Sequence, residues 1–132
     1  MPRRIWIQIP APRGPIPARV REELSSRLER HAAKKWKGRV RKVLLRFRGA
    51  YAYVGAVKAE AGEETPPQVC RYIEKGEVPT ELCRLGFLGG VDRWEYAFYK
   101  YSDEKYERSL CASGSFVATP EEAFDCSAVY LQ

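Results

Sequence analysis

An α+β two-layer sandwich, a mostly antiparallel sheet of about six strands with two main helices, is the fold this sequence predicts. Three observations carry the prediction: several segments alternate apolar and polar residues with period two, two segments show helical spacing with end signals, and the joins between the later strands look like tight turns. The chain has 132 residues, 45% hydrophobic and 30% charged. That is material for one core, so a single domain over residues 1–132 is expected. No apolar run approaches the roughly 20 residues a membrane-spanning helix needs, and no membrane partner is expected.

The first alternation, Arg4-Ile5-Trp6-Ile7-Gln8-Ile9, reads as a half-buried strand. Residues 10–17 hold four prolines and a glycine and predict a stiff extended connector. Val20, Leu24, Leu28, Ala32 and Trp36 then recur every fourth residue, which predicts a helix with one apolar stripe, Pro17 at its start and Gly38 as its C-cap. Arg39 to Arg48 and Tyr51 to Ala59 alternate again around Gly49 and predict a hairpin. Residues 61–80 are rich in Glu, Pro and Gly, with a short helix over Pro67–Lys75 as the expected local structure. Leu82–Leu88, Trp94–Tyr101 and Tyr106–Cys111 read as an antiparallel meander. Thr119-Pro120-Glu121-Glu122 is a capping box that opens a C-terminal helix through Leu131.

Charge is distributed unevenly. Residues 1–48 hold 15 Lys and Arg against three Glu, a net +12, whereas residues 49–132 hold 8 against 14, a net −6. A basic region attracts polyanions by steering and counterion release, so nucleic acid is the first partner to consider. The alternative is that the acidic part folds over the basic part and neutralises it. Cys70, Cys83, Cys111 and Cys126 form no CxxC pair and have no histidine neighbour, so a zinc site is not indicated. Met1 to Ile9 holds two arginines and an alternating stretch that stops at Pro10, unlike a secretory signal; a cytoplasmic location with reduced thiols is expected.

The residues give no catalytic constellation. His31, the sole histidine, sits beside the apolar stripe as an ordinary helix residue, and neither GxSxG, GxGxxG nor GxxxxGK occurs, so no cofactor is expected. Glu63-Glu64, Asp103-Glu104 and Glu121-Glu122 read as a solvated loop, a turn and a helix cap. Asp92 and Glu95, with Lys100 beyond, are the remaining nuclease candidates.

Binding is the better supported reading. Arg27, Arg30, Lys34 and Lys37 fall away from the helix stripe and can lie along a phosphate backbone. Trp6, Tyr51 and Tyr53 can stack bases on an open sheet face while Arg46 and Arg48 hold phosphates. Ile5-Trp6-Ile7-Gln8-Ile9 resembles the first-strand motif of the RNA recognition motif, and Arg48-Gly49-Ala50-Tyr51-Ala52-Tyr53-Val54 is similar to its third-strand motif. Two departures stand in the second motif: Ala50 is an extra residue before the first aromatic, and Ala56 and Val57 occupy the place of the final one. The resemblance implies strand, helix, strand, strand, helix, strand over residues 4–88 and leaves 89–132 as an addition; the chain is not assigned to that family. The expected function is a small non-enzymatic nucleic-acid-binding protein using the basic helix and hairpin surface of residues 19–48. The alternative is a protein-interaction or accessory module, self-associating or bound to another protein through an aromatic sheet face.

Overall fold

Val20, Leu24, Leu28 and Ala32 are all buried in α1 (Ala18–Lys35), and Trp36, just past its end, continues the stripe into the core. Pro17 precedes the helix, where a missing N–H costs nothing; the C-cap is Trp36 rather than the expected Gly38, which takes φ +86° in the turn that follows, a conformation that residues with a Cβ avoid. The computed structural model describes residues 11–111 and 113–131. The expected strand over residues 4–9, with Trp6, lies outside them.

β1 (Val40–Arg48) and β2 (Tyr51–Lys58) form the expected hairpin, turning through Gly49 at φ +57°. β3 (Gln68–Cys70) pairs parallel to β1 through Lys42, Val43 and Leu44. β4 (Thr80–Gly90) and β5 (Arg93–Lys100) pair antiparallel, as do β5 and β6 (Lys105–Arg108). The sheet order is β3-β1-β2-β4-β5-β6, with β7 (Val117–Ala118) paired to the start of β5. Thr119 caps α2 (Pro120–Ser127) by accepting the Glu122 N–H at 3.2 Å, and a 3-10 turn, Ala128–Leu131, follows. The fold is α+β, with two helices among the described residues and a mostly antiparallel sheet.

Three further local expectations differ from the structure. Residues 67–75 form no helix; β3 occupies their first part, because a parallel partner is available along β1 and Pro66-Pro67 favours extended chain. β6 ends at Arg108, so Cys111 lies in the loop beyond it. β7 was not anticipated, since two residues carry no periodicity.

Alternation sorts the sheet into two faces. Val43, Leu45, Ala52, Val54, Cys83, Leu85, Trp94 and Tyr96 join the helix residues and Phe124 in one buried cluster. Tyr96, inside it, shares a 2.6 Å hydrogen bond with Ser127, which itself donates to the Ala123 carbonyl. The opposite face carries Lys42, Leu44, Arg46 and Arg48 from β1. To reach β4 from β3 the chain must pass back over β1 and β2, and Glu77 meets Lys42 on this second face at 2.8 Å. Leu44 and Val57 are buried there. Around Arg46, Arg48, Tyr51 and Tyr53 the second face stays open, whereas Gly86, Glu95 and Ala97 farther along the sheet are buried; this is the surface of interest.

Candidate nucleic-acid interface

Two cross-strand rows build the open face. One runs Arg48, Tyr51, Gly86, Glu95 and the other Arg46, Tyr53, Arg84, Ala97, Arg108, each residue directly opposite the next. The hairpin register therefore places each arginine of β1 beside a tyrosine of β2, as the stacking arrangement requires. The tyrosines are half-buried, and Arg46 and Arg48 are exposed. The Arg84 guanidinium lies 4.3 Å from the centre of the Tyr51 ring. Tyr106 of β6 reaches back to Tyr53, with ring centres 5.3 Å apart, although β4 and β5 stand between their strands. The face therefore closes inward over Ala97, which is fully buried.

Tyr106 also donates a 3.2 Å hydrogen bond to Glu81, and burial followed by the Glu81 charge pushes its phenol well above the usual tyrosine range, so it remains a donor. Arg46 pairs with Glu81 at 3.1 Å while remaining half exposed. Exposed pairs of this kind contribute about 0–1 kcal/mol, so a phosphate can replace the carboxylate at small cost. A cleft of about 400 Å³ opens between Arg46, Phe47, Arg48, Tyr53 and Tyr106. A neighbouring cleft of about 440 Å³ is lined by Leu44, Arg46, Arg71, Tyr72, Ile73 and Glu81 among others. At the other end Pro12 fills the gap above Gly86, where an added Cβ would stand 2.4 Å from its ring.

The helix half of the expected site divides. Arg27 is committed to the fold: it donates to Glu121 at 2.6 and 3.0 Å, to Asp92 and to the Val91 carbonyl. Arg30, Lys34 and Lys37 are exposed and make no ion pair among the described residues. They belong to the helix layer, whereas Arg46, Arg48, Tyr51 and Tyr53 stand on the far face of the sheet. The basic segment 19–48 is thus two surfaces. Between them Arg41 is held by Glu60, Glu63 and Glu77, and Lys42 by Glu74 and Glu77, so later acidic residues neutralise the start of β1. The nuclease candidates do not converge: Asp92 meets Arg27, Glu95 lies between Arg84 and Arg108, and Lys100 pairs with Asp103 and Glu107.

Asp125 on α2 accepts from His31 at 2.8 Å, Lys35 at 2.8 Å and Trp36 at 2.9 Å, tying both helices together. Burial pushes its carboxyl up, but the hydrogen bonds from Lys35, His31 and Trp36 outweigh this and hold it below the usual aspartate value. A depressed carboxylate stabilises the fold at pH above its unfolded pKa, and that stability is lost as pH falls through the folded value. Urea midpoints measured from pH 6 down to pH 2 are expected to fall less steeply below about pH 4 in Asp125→Asn than in the parent. Equal slopes would show that Asp125 does not contribute to the acid limb.

Comparison with protein-family models, with curated proteins and with solved structures finds no match. The functional reading rests on the geometry alone.

Proposed function

We propose that this protein binds single-stranded nucleic acid across the open face of its sheet, bases stacking on Tyr51, Tyr53 and Tyr106 and phosphates meeting Arg46, Arg48, Arg84 and Arg108. The observation that carries this reading is the register: Arg46 opposite Tyr53 and Arg48 opposite Tyr51, on the face away from the helices. Alternating cations and aromatic rings suit a strand whose phosphates and bases also alternate. The inward curl that brings Tyr53 to Tyr106 favours unpaired bases over the broad surface of a duplex. Arg30, Lys34 and Lys37 supply a second, longer-range attraction from the helix layer.

Fluorescence anisotropy with mixed-sequence single-stranded 12-mers tests the proposal. Three or four phosphate contacts predict a salt slope of about −2 to −3, so affinity falls roughly 20- to 50-fold between about 50 and 200 mM salt. Tyr53→Ala costs about 1–3 kcal/mol of binding, the usual loss of one stacked base, whereas reversal of Arg30, Lys34 and Lys37 to Glu leaves the stacking contribution in place. No binding at about 50 mM salt rejects the reading. So does binding that the helix reversals abolish and Tyr53→Ala leaves untouched.

A further inference from the structure

Glu95 is only 2% exposed, yet it projects from β5 onto the open face rather than into the helix-covered core. A carboxylate removed from water needs compensating partners. Its two oxygens have one cation each: a terminal nitrogen of Arg84 at 3.8 Å and the Nε of Arg108 at 3.7 Å. Both separations exceed hydrogen-bond length, so the carboxylate attracts the guanidiniums without occupying their donors. Arg84 keeps a buried Nε with no hydrogen-bond partner among the described residues. Arg27 shows the contrast, because its donors lie 2.6 and 3.0 Å from Glu121 and also engage Asp92.

Resting on the single-strand reading above, we infer that Arg84 and Arg108 form a phosphate clamp, the fixed point at which one phosphodiester of the bound strand is gripped while its neighbouring bases stack on Tyr51 and Tyr53. Two cations against one anion leave a net positive charge. Planar guanidinium forks match the paired oxygens of a phosphodiester, which an ammonium does not. Ala97 stands between the two arginines in their row and is itself fully buried. Glu95 beneath them offsets the mutual repulsion that would otherwise drive them apart. Tyr51 holds the Arg84 plane from the side. The clamp is thus assembled before the ligand arrives, and little ordering accompanies binding.

The test compares the parent chain with R84Q/R108Q, R84K/R108K and the single variant R108Q, all by anisotropy with the same 12-mer across a salt series. Because Arg84 and Arg108 share one phosphodiester, their loss is expected to reduce the magnitude of the salt slope by about 0.7 and to weaken binding about 30-fold or more in R84Q/R108Q. R84K/R108K is expected to keep the parent slope and still bind about tenfold more weakly, because charge is retained and the fork is lost. A 12-mer carrying uncharged methylphosphonate linkages is expected to bind the parent at least about tenfold more weakly and to lose little more in R84Q/R108Q. Arg108 is half exposed, so R108Q separates loss of binding from loss of folding should the double variants be unstable. Unchanged slopes in R108Q and the double variants, with the parent still binding, overturn the clamp and leave the single-strand reading standing. A parent chain that binds no strand overturns both.

Discussion

Trp94→Ala is expected to destabilise the protein by about 3–5 kcal/mol, the usual cost of emptying a large aromatic site. Trp94 is fully buried at the start of β5, with its ring 5.5 Å from that of Phe87. Its position is fixed from three sides: Phe87 on β4, Ala118 on β7, and the Val91 carbonyl of the connecting turn, which accepts the indole N–H at 2.7 Å. Truncation therefore removes contacts on both flanking strands and leaves that carbonyl with only the longer, 3.3 Å donation from Arg27. Against a total stability of roughly 5–15 kcal/mol this is a fifth or more of the fold. Urea denaturation of the parent, Trp94→Phe and Trp94→Ala checks it. Trp94→Phe should lose less because it keeps most of the aromatic volume, and a loss below about 1.5 kcal/mol in Trp94→Ala would remove Trp94 from the centre of the core.

Arg27→Glu comes second, with an expected loss of about 3 kcal/mol. The Arg27 side chain is 17% exposed and faces Glu121 and Asp92, so a carboxylate there adds repulsion to the loss of every hydrogen bond. Burial alone would push Glu121 up, and the Arg27 hydrogen bond reverses this to hold it ionised below the usual glutamate range. Asp92 is largely exposed, which keeps the figure at the low end for broken buried pairs. Arg30→Glu, one turn along on the exposed side, should change stability by no more than about 0.5 kcal/mol. Thermal melts of both variants decide the matter, and equal melting temperatures would show that the Arg27 network contributes nothing. Any charge-reversal survey of α1 for ligand binding should accordingly leave Arg27 intact.

The parts of the fold that were legible from sequence are those governed by local rules. The i+4 stripe from Val20 to Trp36, the hairpin around Gly49 and the Thr119 cap each depend on residues only a few positions apart. β3 was not legible, because its strand character comes from an edge of β1 more than twenty residues earlier in the chain. The same distinction runs through the interface. Arg46, Arg48, Tyr51 and Tyr53 could be placed on one face because a two-residue turn preserves their alternation. Arg84, Glu95, Tyr106 and Arg108 join them only through β4, β5 and β6, and nothing in their local spacing announces it. Arg27 illustrates the converse: helical spacing showed that it leaves the apolar stripe but could not show that Asp92 and Glu121 wait there. The charge asymmetry was real in composition, while its meaning depended on pairings such as Arg41 with Glu63 that link separate segments.

β3 accompanies β1 only as far as Leu44. Among the described residues, Leu45 to Arg48 have no strand on that side. Such a border invites identical molecules to stack edge upon edge, and charged side chains are a common protection against this. Here the guards are Arg46 and Arg48, the same two residues proposed to meet the ligand. Erasing them with alanine would remove the protection together with the binding contacts, and precipitates or fibrils would then imitate a loss of function. Lysine or glutamate at these positions keeps the border charged, and either is the better choice for probing what the protein recognises.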